Sequence, residues 1–262
     1  MTLPHFIIER DEPLQAAVGD YVSVPVSQET FEHLRSLRLR PGEHAVLVDA
    51  PGHGLEIELA VVPGSAKGLL SGTVVRGLVD RVGPQLTLVQ GISAADRMDQ
   101  TIRQVTELGV VRIIPLMSER STVRLDAASQ AGKQQRWQRV ARAAAEQSAR
   151  LSVPEITAPL DLPQALRAVR GYDGLIAAWE EADAGDIGKA VRHVATTVFA
   201  NPRVALFVGP EGGLSAAEIN QLLNAEATVV SLGETILRTE TAAVVASALV
   251  LYHLGALGAE DA

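Results

Sequence analysis

Two short polar loops in the last third of the chain hold the residue types best suited to chemistry. The first is Gly209-Pro210-Glu211-Gly212-Gly213. The second is Leu232-Gly233-Glu234-Thr235-Ile236-Leu237-Arg238-Thr239-Glu240-Thr241-Ala242. Glycine allows positive φ and close approach of backbone to a ligand. An arginine can stabilise developing negative charge, and a glutamate can take a proton. The first loop is neither the Gly-x-Gly-x-x-Gly dinucleotide fingerprint nor a phosphate loop ending in Gly-Lys-Ser/Thr. Glu211 would repel a pyrophosphate at a helix N-terminus, so a cationic or polar ligand suits it better. Each loop also has a plainer reading. The first can be a tight strand-to-helix turn. In the second, Thr239 or Thr241 can cap a helix while Arg238 and Glu240 face solvent.

These loops need strands to carry them. Val204–Val208 is a continuous apolar run, as in a buried parallel strand, and precedes the first loop. Ser215, with Glu218 three residues on, predicts a capping box for the next helix. Val229–Ser231 precedes the second loop, and an apolar helix to about Leu257 follows it. Upstream, Leu86–Gln90, Val110–Leu116 and Leu175–Trp179 read as strands. Ala94–Leu108, ended by Gly109, and Lys133–Arg150 read as helices. Alternating strands and helices predict a mostly parallel sheet with helices on both faces. Ligands of such sheets sit at strand ends. Residues 1 to about 72 differ. Tyr21–Val24, His44–Asp49, Leu55–Val61 and Thr73–Val75 read as strands, with one helix at Gln28–Leu37, a turn at Pro51–Gly54 and a loop at Pro63–Gly68. Short strands with Gly/Pro turns predict a small barrel. Gly83-Pro84 marks the linker.

The chain has 262 residues, 47% hydrophobic but only 3% aromatic, so its core is built from aliphatic side chains. It has no cysteine, which excludes disulfides, thiolate metal sites and a cysteine nucleophile, and suits a cytosolic protein. The six histidines are scattered, so no metal site is expected. No Gly-x-Ser-x-Gly elbow supports serine hydrolysis. The first ten residues lack the pattern of a signal peptide, and no apolar run is long enough to span a membrane. Net charge is −8, but it is unevenly spread. Residues 73–153 carry 12 Lys/Arg against 7 Asp/Glu, whereas both flanking segments are acidic. Such a basic stretch is either a phosphate-binding patch or a solvated helix face. Arg136, Arg139 and Arg142 fall near one helix face within it.

In order and spacing these segments resemble the bacterial 16S ribosomal RNA uridine N3-methyltransferase family, of the trefoil-knotted SPOUT class. The resemblance is carried by Ile102-Arg103-Gln104-Val105-Thr106-Glu107-Leu108-Gly109-Val110, Pro115-Leu116-Met117-Ser118-Glu119-Arg120, Arg136-Trp137, Ala145–Arg150 and Val153–Ile156. Gly209–Ser215 and Leu237–Ala242 complete it. His33-Leu34, Leu37-Arg38 and Pro41-Gly42 resemble the family's small-barrel segment more weakly. Where the family often has Gln-Lys, this chain has Arg103-Gln104. The family's arginine just before the first Phe is replaced by Pro4-His5.

The resemblance implies a PUA-like β-barrel over residues 1–75 that docks RNA, and a knotted α/β methyltransferase domain over 76–262. It implies S-adenosyl-L-methionine as cofactor, gripped around Gly209, Leu232, Gly233 and Leu237. Ala178, Leu206, Glu211, Gly212, Gly213, Ile236 and Thr241 join that grip. Arg238, Glu240 and Glu211 become the catalytic residues, and Arg38, Arg103, Arg120, Arg136 and Arg139 the RNA contacts. The implied reaction is methylation of N3 of one uridine of 16S ribosomal RNA, in the assembled small subunit near the decoding centre, by a cytoplasmic homodimer. Val244, Val245, Ala248 and Leu249 offer the dimer face. Two other classes compete: a non-catalytic RNA-binding protein of ribosome assembly, which would not retain the donor, and a nucleotide-dependent transferase, against which the missing phosphate-loop lysine counts.

Overall fold

The structure is a computed structural model that describes residues 3–8, 10, 12–60, 68–94, 96–123, 125–182, 185–198 and 200–258. The loop expected at Pro63–Gly68 lies, up to residue 67, outside the described residues, as does Arg124. The chain divides into two compact units, one of residues 1–81 with 145–153 and the other of 82–144 with 154–262.

The first unit holds β1 (His5–Ile7), β2 (Tyr21–Pro25), α1 (Gln28–Ser36), β3 (His44–Ala50), β4 (His53–Leu59) and β5 (Leu69–Val79). Its sheet runs β1-β3-β4-β5-β2. Only the β1–β3 pair is parallel. β2 alternates between exposed and buried residues, as its sequence predicts. Phe6, Leu34, Leu47, Ile57 and Leu70 share one core, and Ser27 caps α1 by accepting a hydrogen bond from the Thr30 amide. The opposite face is not left to solvent. Ile7, Val46 and Val48 pack with Ala145 and Leu151. The Ile7 N–H donates to Glu146 (3.1 Å), and the Gly52 N–H donates to the Leu151 carbonyl (2.9 Å). The strict alternation of β4 therefore does not give one wet face. Glu56 is buried there, bonded to His44 (2.7 Å) and Arg76 (2.5 Å). The three-residue β1 is too short to give a periodic signal.

The second unit holds β6 (Gln85–Gly91), α2 (Arg97–Leu108), β7 (Arg112–Leu116), α3 (Ala127–Gln147, whose last residues belong to the first unit), β8 (Glu155–Ile156) and α4 (Leu162–Ala168). It continues with β9 (Gly174–Ala178), α5 (Ile187–Thr197), β10 (Arg203–Val208), α6 (Ala216–Asn224), β11 (Thr228–Val230) and α7 (Thr239–His253). The sheet order is β11-β9-β10-β6-β7-β8, parallel throughout. β6 and β10 lie side by side and are buried beyond their first residue, so both need apolar side chains on both faces. Chain order reverses between them, which is where an open parallel sheet forms a ligand crevice beyond its strand ends.

Several boundaries differ from the sequence expectation. α2 begins at Arg97 rather than Ala94, and the Ala94 N–H donates to Glu211. α3 begins six residues earlier than expected and ends at Gln147, before Ala149 takes φ +60°. α7 stops at His253. β8, α4 and α5 are additional. Gly109 ends α2 at φ +108°, a conformation few other residues adopt. The predicted capping box is present: Ser215 accepts from the Glu218 amide, and Glu218 accepts from the Ser215 amide (2.8 Å). Glu218 is buried and also accepts from the Ser118 hydroxyl (3.0 Å) and the Glu119 N–H (3.1 Å). One carboxylate thus joins α6 to the segment after β7. Glu218→Ala leaves these donors without a partner and should lower stability by about 2–4 kcal/mol. Urea unfolding checks this, and a midpoint within error of the parent chain would remove Glu218 from the framework.

Candidate active site

A cleft of about 400 Å³ opens at the carboxyl ends of β9 and β10, within the range of roughly 300–1,000 Å³ typical of small-molecule sites. Both loops singled out in the sequence line it. Gly209, Pro210, Glu211 and Gly213 come from the first, and Ser231 to Glu240 from the second; Ala178, Trp179 and Glu180 close it from β9, and Arg97 from α2.

A buried polar junction sets the floor. The Gln90 amide, at the end of β6, donates to the Thr239 hydroxyl (2.8 Å) and to the carbonyls of Gly91 (3.0 Å) and Gly209 (3.4 Å). The Thr239 hydroxyl donates in turn to the Gly209 carbonyl (2.6 Å). Both side chains are buried. Gly91 faces the Gly209-Pro210 backbone so closely that a Cβ there would overlap it. Thr239 is therefore fixed to the first loop and does not cap α7. The N-cap position of α7 is Arg238, which makes no side-chain cap, and Thr241 is exposed. Glu240 does not face solvent either: it is buried, 4.0 Å from the Arg97 guanidinium, and its Oε2 is enclosed without a partner among the described residues. Arg238 is exposed.

Glu211 accepts from the Ala94 N–H (2.9 Å) and from Arg97 (2.8 Å). Burial alone would raise its pKa, but the amides of Ala94 and Glu211 and the Arg97 charge outweigh it and hold the carboxyl below its ordinary value of 4.5. The Trp179 indole donates to the Leu214 carbonyl (3.2 Å). Gly213 takes φ +70° and lies against the Glu180 carboxylate, which a Cβ there would displace.

Of the residues expected to hold a cofactor, Ala178, Gly209, Glu211, Gly213, Leu232, Gly233, Ile236 and Leu237 share this cleft. Leu206 is buried within β10, Gly212 lies against Arg120, and Thr241 is exposed on α7; these three do not line it. Arg238 and Glu240 do. The expected RNA contacts fall in both units. Arg38 is exposed in the first unit with φ +52°. In the second, Arg103 and Arg139 are exposed on α2 and α3. Arg120 donates to the Gly212 carbonyl (3.2 Å), and Arg136 donates to Asp99 (2.9 Å), whose hydrogen bond and charge raise the guanidinium pKa. Sequence reasoning missed Gln90, Arg97, Trp179 and Glu180. The last two follow a strand directly, which is itself the signal that could have found them.

The pattern for an RNA methyltransferase domain matches residues 81–251. A ribosomal RNA small subunit methyltransferase E from Mycobacterium bovis is 33% identical over 90% of this chain and 86% of its own length. The chain belongs to this family. The Bacillus subtilis member is 28% identical over 86% of this chain and 88% of its own. Among solved structures, the Neisseria gonorrhoeae family member, bound to S-adenosyl methionine, has 30% identity and a TM-score of 0.77, covering 96% of this chain and 98% of that one. A Legionella pneumophila structure solved with bound S-adenosyl methionine has 28% identity and a TM-score of 0.74, with the same coverage.

The family's first loop is thus tethered in this chain by Arg97 and Glu211, and the tether titrates. Because the folded-state pKa of Glu211 is depressed, its contribution is complete above pH 4.5 and is lost as pH falls through the lower folded value. At pH 7, Glu211→Gln should cost on the order of 1 kcal/mol, as for a partly exposed pair. The gap to the parent chain should narrow as pH falls below 4.5, as followed by urea midpoints. A gap that does not change with pH would show that the carboxylate charge is irrelevant to the tether.

Proposed function

We propose that this chain methylates N3 of one uridine of 16S ribosomal RNA, using S-adenosyl-L-methionine held in the cleft. The observation that carries the reading is the convergence of both loops on one pocket that also holds Arg238 and Glu240. The cleft suits the donor chemically. Its walls combine apolar surface from Trp179, Leu232, Ile236 and Leu237 with close backbone approach at glycines and four carboxylates against two arginines. That is a fit for a nucleoside bearing a sulfonium cation, and a poor one for a polyphosphate. When bound, the donor supplies an electrophilic methyl group.

The chain's own residues then have to make N3 nucleophilic. The uridine imide N–H is a weak acid, so the site must stabilise its anion and remove the proton. Arg238, exposed at the start of α7, stabilises charge developing on a uridine carbonyl oxygen. Glu211 is a poor base because Ala94 and Arg97 already engage it. Glu240, which lines the cleft and carries no hydrogen bond among the described residues, is the proton acceptor in this reading. The base must leave its stack to present N3.

The remaining parts follow from the same reading. The first unit acts as a PUA-like RNA-docking barrel and the second as the catalytic domain; the boundary expected between residues 75 and 76 falls inside β5. The passage from β11 to α7, which packs on β6 and β10, is the step that threads a trefoil knot, a rare exception among folds. Val244, Ala248 and Leu249 are only partly buried and Val245 is exposed, which supports α7 as the face of a homodimer. Sedimentation at micromolar concentration checks this, and a monomer would overturn it. The enzyme works in the cytoplasm on the assembled small subunit near the decoding centre. Arg38, Arg103 and Arg139 contact RNA phosphates; Arg120 and Arg136 also hold protein partners.

Mass mapping of 16S RNA from small subunits, after incubation with enzyme and donor, tests the whole reading. One added methyl on one uridine is expected, and no modification would overturn it. Leu237→Asp, which puts a carboxylate into an apolar wall, should lower donor affinity at least tenfold by calorimetry. Arg238→Ala should keep donor affinity and lose about 10²–10³ in single-turnover rate. Part of that rate should return between pH 7 and 9, where more N3 is already ionised. A wild-type rate for Arg238→Ala would return this side chain to loop structure.

A further inference from the structure

The carboxylates of the cleft are not equivalent. Glu211 is held by Arg97 and the Ala94 amide. Glu240 faces the same guanidinium, and its second oxygen is enclosed. Arg97 therefore compensates two of the four. Glu180 and Glu234 remain, both exposed and without a hydrogen bond or ion pair among the described residues. Glu234 stands at the tip of the second loop. Glu180 stands two residues beyond the end of β9, and its carboxylate lies against Gly213 of the first loop, which has no side chain to displace it. Its neighbour Glu181 is different, since it pairs with Arg120 (3.7 Å) and does not line the cleft.

We infer that Glu180 is a specificity-determining residue for the cofactor: its unpaired charge, beside Gly213 in the wall of the cleft, makes the cleft favour the sulfonium donor over the neutral thioether product. The inference rests on the cleft being the donor site. Donor and product share adenine, ribose, ammonium and carboxylate, and differ by the methyl group and one positive charge. Apolar walls and backbone donors treat the two nearly alike, so discrimination has to come from charge. A solvent-accessible carboxylate within several ångströms of a cation alters its binding by about five- to tenfold at low salt, and less as salt screens it. Transfer removes that cation, and with it the attraction, so the same carboxylate loosens the product.

The test is calorimetric titration of the full chain with S-adenosylmethionine and, separately, with S-adenosylhomocysteine. Glu180→Gln is nearly isosteric on an exposed side chain and leaves Gly213 its space. It should weaken the sulfonium ligand about five- to tenfold and the thioether less than twofold, so that their affinity ratio moves toward the product. The shift should shrink between 20 and 300 mM salt. Glu181→Gln should leave both affinities unchanged. Equal losses for the two ligands would make Glu180 a contact to a group they share and overturn the inference, as would no loss for either. If the unaltered chain binds neither ligand, the donor-site reading itself falls. If it binds both and the ratio in Glu180→Gln does not move, only the role of Glu180 falls.

Discussion

The Gln90 amide and the Thr239 hydroxyl meet over the Gly209 carbonyl, and most of the cleft depends on that junction. It joins three stretches of chain that are distant in sequence: the end of β6, the loop after β10 and the first turn of α7. All three groups are buried, so a rearrangement that separates them leaves polar atoms without water. The steric constraint at Gly91 acts in the same place, since the Gly209-Pro210 backbone can lie across β6 only where no Cβ intervenes. Hydrogen bonding and the missing side chain together set where the first loop lies. The second loop, tied at its end through Thr239, has to close over it.

Charge is distributed around this fixed floor. Arg97 reaches it from α2 and takes up Glu211 and the near side of Glu240. Arg120 reaches the Gly212 carbonyl from the segment after β7. Both arginines come from outside the two loops and hold them by polar contacts at the rim. The net acidic character of the chain is thus partly a property of its pocket.

How much of this is legible in the sequence depends on range. Local signals transfer well. The apolar runs of β6 and β10, the alternation of β2, the glycine end of α2 and the Ser215–Glu218 box are each set by neighbours a few residues away. α4 has seven residues and β8 two, too few for periodicity to stand out. α5 does carry a signal, with Ile187, Val191 and Val194 buried at helical spacing behind an Asp186 cap. The two loops stand out through glycine and charge, but their partners do not. Gln90 and Arg97 look like ordinary residues of a strand end and a helix start. Only the strand order, which brings β6 beside β10 across more than a hundred residues, gives them something to hold. The same limit explains Thr239 and Glu240, whose local pattern fits a cap and a solvent-facing acid equally well.

The first unit draws Ala145 and Leu151 into its core and borrows a carboxylate from Glu146. These groups lie far along the chain from β5. During synthesis the β-sheet is therefore finished long before the surface that covers its second face exists. About seventy more residues must be added, which at about 5–20 residues per second takes several seconds. Through that interval Ile7, Val46 and Val48 lack Ala145 and Leu151, and the nascent sheet carries an apolar face that is only partly covered. Completion of the amino-terminal unit is thereby coupled to the emergence of α3, so the first part of the protein to be made is not the first that can be finished.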